Sequence, residues 1–299
     1  TISISGYHLR EAGCTAAEEL ALTLTNALYY IKSALNIGLE IDDFAPRMSF
    51  FFGCHNNFFE EICKFRAART IWYEIVSDFN PKNEKSSMLR FHTQTSGVTL
   101  TAQQPMINAI RVAYQALSAV LGGTQSLHTN SFDEALGLPT EEAATLALRT
   151  QQIIASEIGI TSIVDPLSGS KMIEEKTKEM ILEAKGIMKE IENNGGSMNC
   201  IISGIQQRMI HESAWKHMKD IENQRIEVVG VNKYQEDGYS NIEAQKLDMA
   251  NANKQIDSVK KIRELRDKKA VNYALEELRV ACNSDVNVMN PIINAVKVG

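Results

Sequence analysis

Ile2-Ser-Ile-Ser-Gly-Tyr7, followed by Thr15-Ala-Ala-Glu18 and the spaced residues Leu20, Leu24, Leu28, Ile31 and Leu35, is the stretch that decides the fold. The first segment alternates apolar and polar side chains, the period of a strand with one covered face. The second opens with a threonine and a glutamate three residues apart, the pattern of a capping box, and continues with helical spacing. A strand followed by a helix is therefore the unit, and three more copies follow. Residues 47–52 form an aromatic-rich strand before a helix at 58–75. Residues 88–93 form a third strand, after which Pro105 suits the first turn of a helix striped by Met106, Ile110, Ala113, Leu117 and Val120. A fourth strand at 124–129 precedes a helix at 140–158. Four such units of about forty residues predict an α/β fold, with a parallel sheet and helices outside it. Residues 1–160 fit half of a (β/α)8 TIM-type barrel.

Beyond Gly159 the pattern changes. Asp165-Pro-Leu-Ser-Gly-Ser170 reads as a turn-rich joint, and a helix at 172–191 ends at Asn193-Asn-Gly-Gly196. Helical stretches at 199–221 and 244–280 flank an expected short strand at 226–232. Residues 161–299 are read as a mainly helical linker or docking region, in which the alternating charges of 254–269 mark a solvated helix face.

The 299 residues are 44% hydrophobic and include 31 Lys+Arg against 37 Asp+Glu, a net charge of −6. That is a globular composition. The excess of acid argues against a nucleic-acid partner, because gripping phosphates takes clustered cations. No apolar run approaches the roughly eighteen residues of a membrane span, so no membrane partner is expected. The start at Thr1-Ile-Ser-Ile-Ser-Gly6 lacks the charged region of a signal peptide, and the five cysteines are scattered and odd in number. A cytoplasmic chain without a disulfide framework is expected. It begins without Met, inside an expected strand, which fits a piece of a longer polypeptide.

His8, His55, His92 and His128 each fall near the end of an expected strand. Carboxyl ends of parallel strands are where α/β folds build sites, although any single histidine there is equally at home as a structural residue. An ordinary barrel interior is filled with Val, Ile and Leu, yet the polar strand faces offer Ser3, Ser5, Ser49, Thr93, Thr95, Thr124 and Ser126. These hydroxyls either line a channel for an extended ligand or pair with helix ends outside the sheet. The common dinucleotide, Walker, zinc-protease and serine-hydrolase signatures are absent. No two histidines form an H-x-H pair on one strand, so no metal centre is expected. Together with Arg47 and Gln94, the histidines and hydroxyls suit hydrogen bonding to a long neutral or anionic ligand.

Longer motifs carry a resemblance. Ser3-Ile-Ser-Gly-Tyr-His8, Phe44-Ala-Pro-Arg-Met-Ser-Phe-Phe51, Phe91-His-Thr-Gln-Thr-Ser-Gly97 and Gly122-Gly-Thr-Gln-Ser-Leu-His-Thr-Asn-Ser-Phe-Asp-Glu-Ala-Leu136 resemble the large subunit of the methylmalonyl-CoA mutases. So do Asp165-Pro-Leu-Ser-Gly-Ser170 and Val229-Gly-Val-Asn-Lys-Tyr234, and the likeness covers essentially the whole chain. Phe52-Gly-Cys-His-Asn-Asn-Phe-Phe-Glu-Glu61 is similar to the bacterial and archaeal branch, whose cobalamin-binding subunit is often a separate chain.

The resemblance implies a (β/α)8 barrel threaded by the pantetheine arm of an acyl-CoA substrate, with adenosylcobalamin capping the carboxyl ends of the strands. This chain would carry the last four strands. The implied partners are the first four strands and a cobalamin-binding domain or subunit, in an oligomer. By the same correspondence His8 is the catalytic residue, hydrogen-bonding the thioester carbonyl. Arg47 and Ser49 match coenzyme A contacts, and Phe51, His92, Gln94 and Ser126 match the channel lining. Tyr7 and Glu11 match neighbours of the substrate and corrin. Gly97, Asn130, Glu134 and Ala135 match the cofactor side, with Asn130 and Glu134 toward a ribose. Leu9-Arg10 departs from the usual Met-Gln, and Cys14 from a common Ala. The implied reaction is a radical 1,2-rearrangement, (R)-methylmalonyl-CoA to succinyl-CoA. The acyl-selecting residues would lie before Thr1, so mutases of isobutyryl-CoA or 2-hydroxyisobutyryl-CoA stay open. A non-catalytic half-barrel interaction module is the reading of a different class. Four parallel strands cannot close a barrel. The chain alone, with residues 50–52 and the hydroxyl row open to water, is therefore expected to self-associate or to meet its missing half.

Overall fold

The structure, a computed structural model, describes residues 2–236 and 249–299. The chain divides into two compact units, Thr1–Gln245 and Lys246–Gly299. In the first, β1 (Ile2–Ser5) leads through a short helix α1 (Tyr7–Glu11) to α2 (Ala16–Asn36), and α3 (Ile41–Phe44) precedes β2 (Met48–Cys54). Then come α4 (Phe58–Ser77), β3 (Phe91–Thr95), α5 (Asn108–Leu121), β4 (Ser126–His128) and α6 (Glu141–Ser156). The four strands form one parallel sheet in the order β1-β2-β3-β4. Strands in chain order, each followed by a helix, are the architecture of four consecutive units of a (β/α)8 barrel.

The expected capping box opens α2: Thr15 Oγ1 accepts from the Glu18 amide at 3.1 Å, and Glu18 accepts from the Thr15 amide at 2.7 Å. Thr140 caps α6 by accepting from the Ala143 amide, without a reciprocal partner. One face of the sheet is closed by helices. Ile4, Phe50, Phe52 and Phe91 are buried against Leu20, Leu24 and Ile31 of α2 and Phe65, Ile71 and Trp72 of α4. The aromatic rings interlock, Phe50 edge-on to Trp72 at 4.9 Å and Phe65 stacked on Phe91 at 5.2 Å. Each such phenyl ring stabilises the fold by about 1.5–3 kcal/mol through burial alone.

Among the described residues, the other face is met only by the short helix α1, whose Tyr7 and His8 rings lie against Phe51. In register, Ser5, Phe51, His92 and Ser126 make one rung across all four strands. Gly53, Gln94 and His128 make the next.

This parity corrects several expectations. Thr93 and Thr95 lie on the closed face and are fully buried, because they share alternation with Phe91. Their hydroxyls are used internally, by Thr124 Oγ1 at 2.8 Å and the Asn130 amide at 2.8 Å. Thr124 itself precedes β4. Phe50 and Phe52 are core, and only Phe51 faces the open side. His92 is the second residue of β3 rather than its end. Tyr7 belongs to α1, since the strand stops at Ser5. Met106 lies in the 3-10 turn Pro105–Ile107 before α5 and is exposed, as is Ile110 on the helix, and the buried face of α5 includes Val112, Gln115, Ala116 and Ala119. The phase is set by Gln115, whose side chain serves the Ser96 amide, Asn56 and Thr99.

Farther along, Arg66 Nη1 grips both oxygens of Asp165 at 2.8 Å and so ties the turn-rich joint to α4. Helix α7 (Lys171–Asn193) packs on α2 and α4, and α8 (Gly196–Ile202) and α9 (Ile205–Glu222) follow. The single helix expected at 199–221 is broken at Gly204, which has φ +77°. No strand forms at 226–232. Instead Asn232 ties the segment into a turn, accepting from the Val228 amide and donating to the Ile221 and Ile226 carbonyls. Only an isolated bridge between Val229 and Lys233 remains.

The second unit contains α10 (Met249–Leu265), α11 (Lys268–Cys282) and α12 (Met289–Lys297), with α11 and α12 packed together. The helix expected over 244–280 is interrupted where Asp267 caps α11, and its first residues, 244–248, lie outside the described residues. Among the described residues no helix is long and apolar enough to cross a membrane.

Candidate functional site

The site begins where β1 gives out. Gly6 donates its amide to the Phe51 carbonyl at 2.7 Å, as a strand residue would, and the chain then turns into α1. A side chain at Gly6 would collide with Thr23 Oγ1 and lie 3.0 Å from Glu19 Cγ, so only glycine lets the turn sit this low. Tyr7 is thereby stacked on Phe51, with centroids 4.7 Å apart and planes 2° from parallel. His8 stands edge-on to both rings, and its Nδ1 lies 2.8 Å from Ser5 Oγ. His92 continues the row at 5.0 Å from Phe51, and its Nδ1 is 2.7 Å from Ser126 Oγ. Aromatic and imidazole groups thus pave the open face from β1 to β4.

Above this pavement, at the carboxyl ends of the strands, lies a polar pocket. Ser96 Oγ donates to Glu11 Oε1, and the Val98 amide donates to Glu11 Oε2 at 2.9 Å. Gln94 Nε2 donates to Asn130 Oδ1 at 2.9 Å. Asn130 Nδ2 is buried and has no hydrogen-bond partner. A methyl group at Gly97 would lie 3.2 Å from Asn130 Nδ2, 3.2 Å from Glu11 Oε2 and 3.7 Å from Glu134 Cγ. Glu11, Gly97, Asn130 and Glu134 therefore converge on one space that a side chain at Gly97 would fill.

Burial shapes the charges. The Tyr7 phenol is pushed up to about 12 by burial and by the carboxylates of Glu11 and Glu134, against the opposing pull of the Asn130 side chain and the Gly97 backbone, so it stays a neutral donor. Burial also raises the Glu11 carboxyl above its usual range, opposed by the Ser96 and Val98 hydrogen bonds. Glu134 is raised by burial, with Asp133 and Glu11 adding to it. His92 and His128 are lowered by burial, His92 also by His128, so the open face carries neutral imidazoles near pH 7. Chemically, this is a row of apolar rings and neutral hydrogen-bonding groups leading to a polar pocket with an unsatisfied donor.

Most residues singled out by sequence meet here: Tyr7, His8, Glu11, Phe51, His92, Gln94, Gly97, Ser126, Asn130 and Glu134. Ser49 lies farther down the open face, its hydroxyl donating to the Ile2 carbonyl at 3.3 Å. Arg47 is exposed before the amino end of β2, away from the pocket. Ala135 is exposed in the turn after Asn130. Sequence reading missed Ser96 and Gln115, which hold Glu11 and the Ser96 backbone. Ser96 sits inside a quoted motif, whereas Gln115 reads as an ordinary polar helix residue. His55 follows β2, and its buried Nε2 lies 4.0 Å from Glu11 Oε1 without a hydrogen bond.

Comparison with known proteins places this arrangement. The family described as methylmalonyl-CoA mutase matches residues 1–299. Methylmalonyl-CoA mutase of Escherichia coli K12 is 45% identical over 299 residues, covering 100% of this chain and 42% of that protein. The mitochondrial methylmalonyl-CoA mutase of Homo sapiens is 45% identical over 298 residues, and that of Mus musculus 44% over 300. Each covers 99% of this chain and 40% of the relative. The chain thus spans about two-fifths of the length of the curated relatives it matches, and it belongs to the methylmalonyl-CoA mutase family.

Proposed function

We propose that this chain supplies half of the substrate barrel of an adenosylcobalamin-dependent acyl-CoA mutase, with methylmalonyl-CoA and succinyl-CoA as its substrate pair. The observation that carries the reading is the open rung Ser5–Phe51–His92–Ser126 ending at the Glu11–Gly97–Asn130–Glu134 pocket. The pocket fits a large polar cofactor: Asn130 Nδ2 is an orphaned buried donor, and Gly97 leaves the space in front of it free. Asn130 and Glu134 would hold a ribose there, and Glu11 and Tyr7 would border the corrin. Adenosylcobalamin, when bound, supplies the radical chemistry of the rearrangement.

The chain's own residues bind, orient and exclude water. In the tautomer in which the Ser5 hydroxyl donates to His8 Nδ1, the proton sits on Nε2, free to donate to a thioester carbonyl. A donor placed there stabilises charge developing on that oxygen. Phe51 and Tyr7 wall the acyl group, and His92, Gln94 and Ser126 offer neutral partners to the pantetheine amides. Arg47, at the other end of β2, would meet coenzyme A phosphate. A separate segment or chain supplies the remaining strands and a cobalamin-binding domain, and residues 161–299 serve as the linker toward it. The open sheet face and the two strand edges left unpaired among the described residues support this.

The test is turnover of the assembled protein with methylmalonyl-CoA, isobutyryl-CoA and 2-hydroxyisobutyryl-CoA, with and without adenosylcobalamin. Conversion of methylmalonyl-CoA only when cobalamin is present is expected. Undiminished conversion without cobalamin refutes the reading, and a preference for another acyl group moves the substrate assignment. Sedimentation velocity of the 299-residue chain alone should reveal self-association; a well-behaved monomer would contradict the half-barrel reading.

A further inference from the structure

Helix α1 has two sides. Tyr7, His8 and Glu11 serve the site, while Arg10 turns away from it into the protein and is only 9% exposed. Its guanidinium donates to the Cys14 carbonyl and, through Nη2, to Glu61 Oε1 at 3.3 Å. Glu61 Oε2 accepts from Lys64 Nζ, which also donates to Glu19 Oε2 at 2.6 Å and to the Gly53 carbonyl at 2.8 Å. Glu19 Oε1 accepts from the Gly53 amide at 2.7 Å. The side chains of Glu19, Glu61 and Lys64 are completely buried.

The reason for this arrangement is local. Because β1 ends at Ser5, Gly53 has no β1 residue paired with it, and side chains from α2 and α4 satisfy both of its peptide groups. Gly53 is glycine because a Cβ would lie 3.2 Å from Arg10 Cγ. Two buried cations therefore balance two buried anions, and removal of any one leaves an unpaired charge in the interior. Burial opposes the charge on Lys64, but Glu19 and Glu61 together hold its pKa above the usual lysine range.

We propose that Arg10 is a positioning residue, whose anchorage in the Glu61–Lys64–Glu19 network fixes α1 and with it His8 and Glu11. The inference rests on the roles proposed above for those two residues. The charged and titratable groups facing Arg10 are Glu60, Glu61 and Lys64 from α4, Glu19 from α2, the thiol of Cys14, the neutral His55 after β2 and, on its own helix, the Glu11 carboxyl that it helps hold down. Gln is the usual residue of the resemblance at this position, but this chain also sets Glu60 3.7 Å from Arg10, so in Arg10→Gln the carboxylates around the network outnumber their cation and one of them holds a proton in the folded state. Its raised pKa makes stability fall as pH rises from about 4.3 toward that raised value. In Arg10→Gln/Glu61→Gln the balance returns, and the side-chain amide introduced at position 61 can still accept from Lys64 while donating to the amide introduced at position 10.

The experiment compares the assembled wild type, Arg10→Gln and the double variant for kcat, KM and the pH dependence of Tm. Arg10→Gln is expected to lose about tenfold or more in kcat with KM within about twofold, measured where each variant is fully folded. The double variant is expected to recover to within about threefold and to lose the downward slope of Tm with pH. Unchanged kcat in Arg10→Gln, or an equal loss in the double variant, overturns the inference. Should Arg10→Gln fail to fold, the double variant decides alone: one that folds with less than about a tenth of wild-type kcat also overturns it. An assembly without mutase turnover refutes the proposed function instead, and the Tm slopes still judge the charge balance.

Discussion

The two faces of the same four strands are built from interleaved residues and have opposite characters. Phe50 and Phe52 are sealed beneath α2 and α4, while Phe51, one position away from each, stands on the open side stacked against Tyr7. Thr93 and Thr95 are likewise closed in, and His92 and Gln94 are not. What separates the faces is strand parity, not residue type. Phenylalanine serves both, and hydroxyls serve both, because the period of two sends neighbours to opposite sides. The closed face is a core that must be filled, and the open face is a surface shaped for something else to fill.

The sharpest way to break this comparison is to delete the same ring on each face. Phe52→Ala should destabilise the assembled protein by about 3–5 kcal/mol, the usual range for a buried phenylalanine. Phe51→Ala should cost below about 1.5 kcal/mol, near the aromatic-pair contribution, and instead weaken acyl-CoA binding. Chemical denaturation of both variants tests this, and equal losses would erase the distinction between the faces.

Next in size is the chemistry of the open face. His8→Ala should lower kcat by about 10²-fold with little change in stability, as expected for a lost transition-state donor. Steady-state kinetics showing less than about a threefold loss would reduce His8 to a structural role.

Gly97→Ala sharpens the boundary between pavement and pocket. Its methyl group would press on Asn130 Nδ2 and Glu11 Oε2, both 3.2 Å away. Overpacking of about 1–3 kcal/mol translates into roughly tenfold weaker cobalamin binding, visible by spectroscopic titration. Unaltered cobalamin affinity would move the cofactor away from this space.

The smallest expected effect is electrostatic. His92 and His128 have pKa values lowered in the folded protein, so the unfolded chain takes up protons first as pH falls. Their contribution is complete above about pH 6.5 and is lost as pH drops from there toward the lowered native values. Replacing both with Gln should slightly flatten the Tm–pH curve below about pH 6.5, the effect on exposed His128 being reduced by solvent screening. A curve of unchanged shape would mean that these imidazoles titrate as freely in the native protein as in the unfolded chain.

Much of this architecture is legible in the sequence, and the failures have physical causes. The Thr15 capping box and the alternation of Ile2-Ser-Ile-Ser5 state their elements locally, and both form. Which face a hydroxyl occupies depends on register, so grouping Thr93 and Thr95 with the serines by chemistry alone misplaced them. The buried side of α5 is hidden for a related reason, since Gln115 is polar yet fully engaged inside. The turn at 226–232 resembles a strand because Val228, Val229 and Val231 favour one, but the Asn232 side chain closes it. Most of the residues singled out in long motifs come together at the open face. Ser96 and Arg10 act through partners 85 and 51 positions away, a separation that no local pattern reports.

The most direct test of the central claim is to fill the open face and measure binding. Ser126→Phe places a large ring at the β4 end of the rung, beside His92, without touching the core beneath it. Titration calorimetry of the assembled protein with an acyl-CoA should show affinity reduced by about 100-fold or more. Tm should stay within about 2 °C of wild type, because surface substitutions away from the core cost little. Wild-type affinity in a folded Ser126→Phe protein would show that the ligand does not lie along the Ser5–Phe51–His92–Ser126 rung.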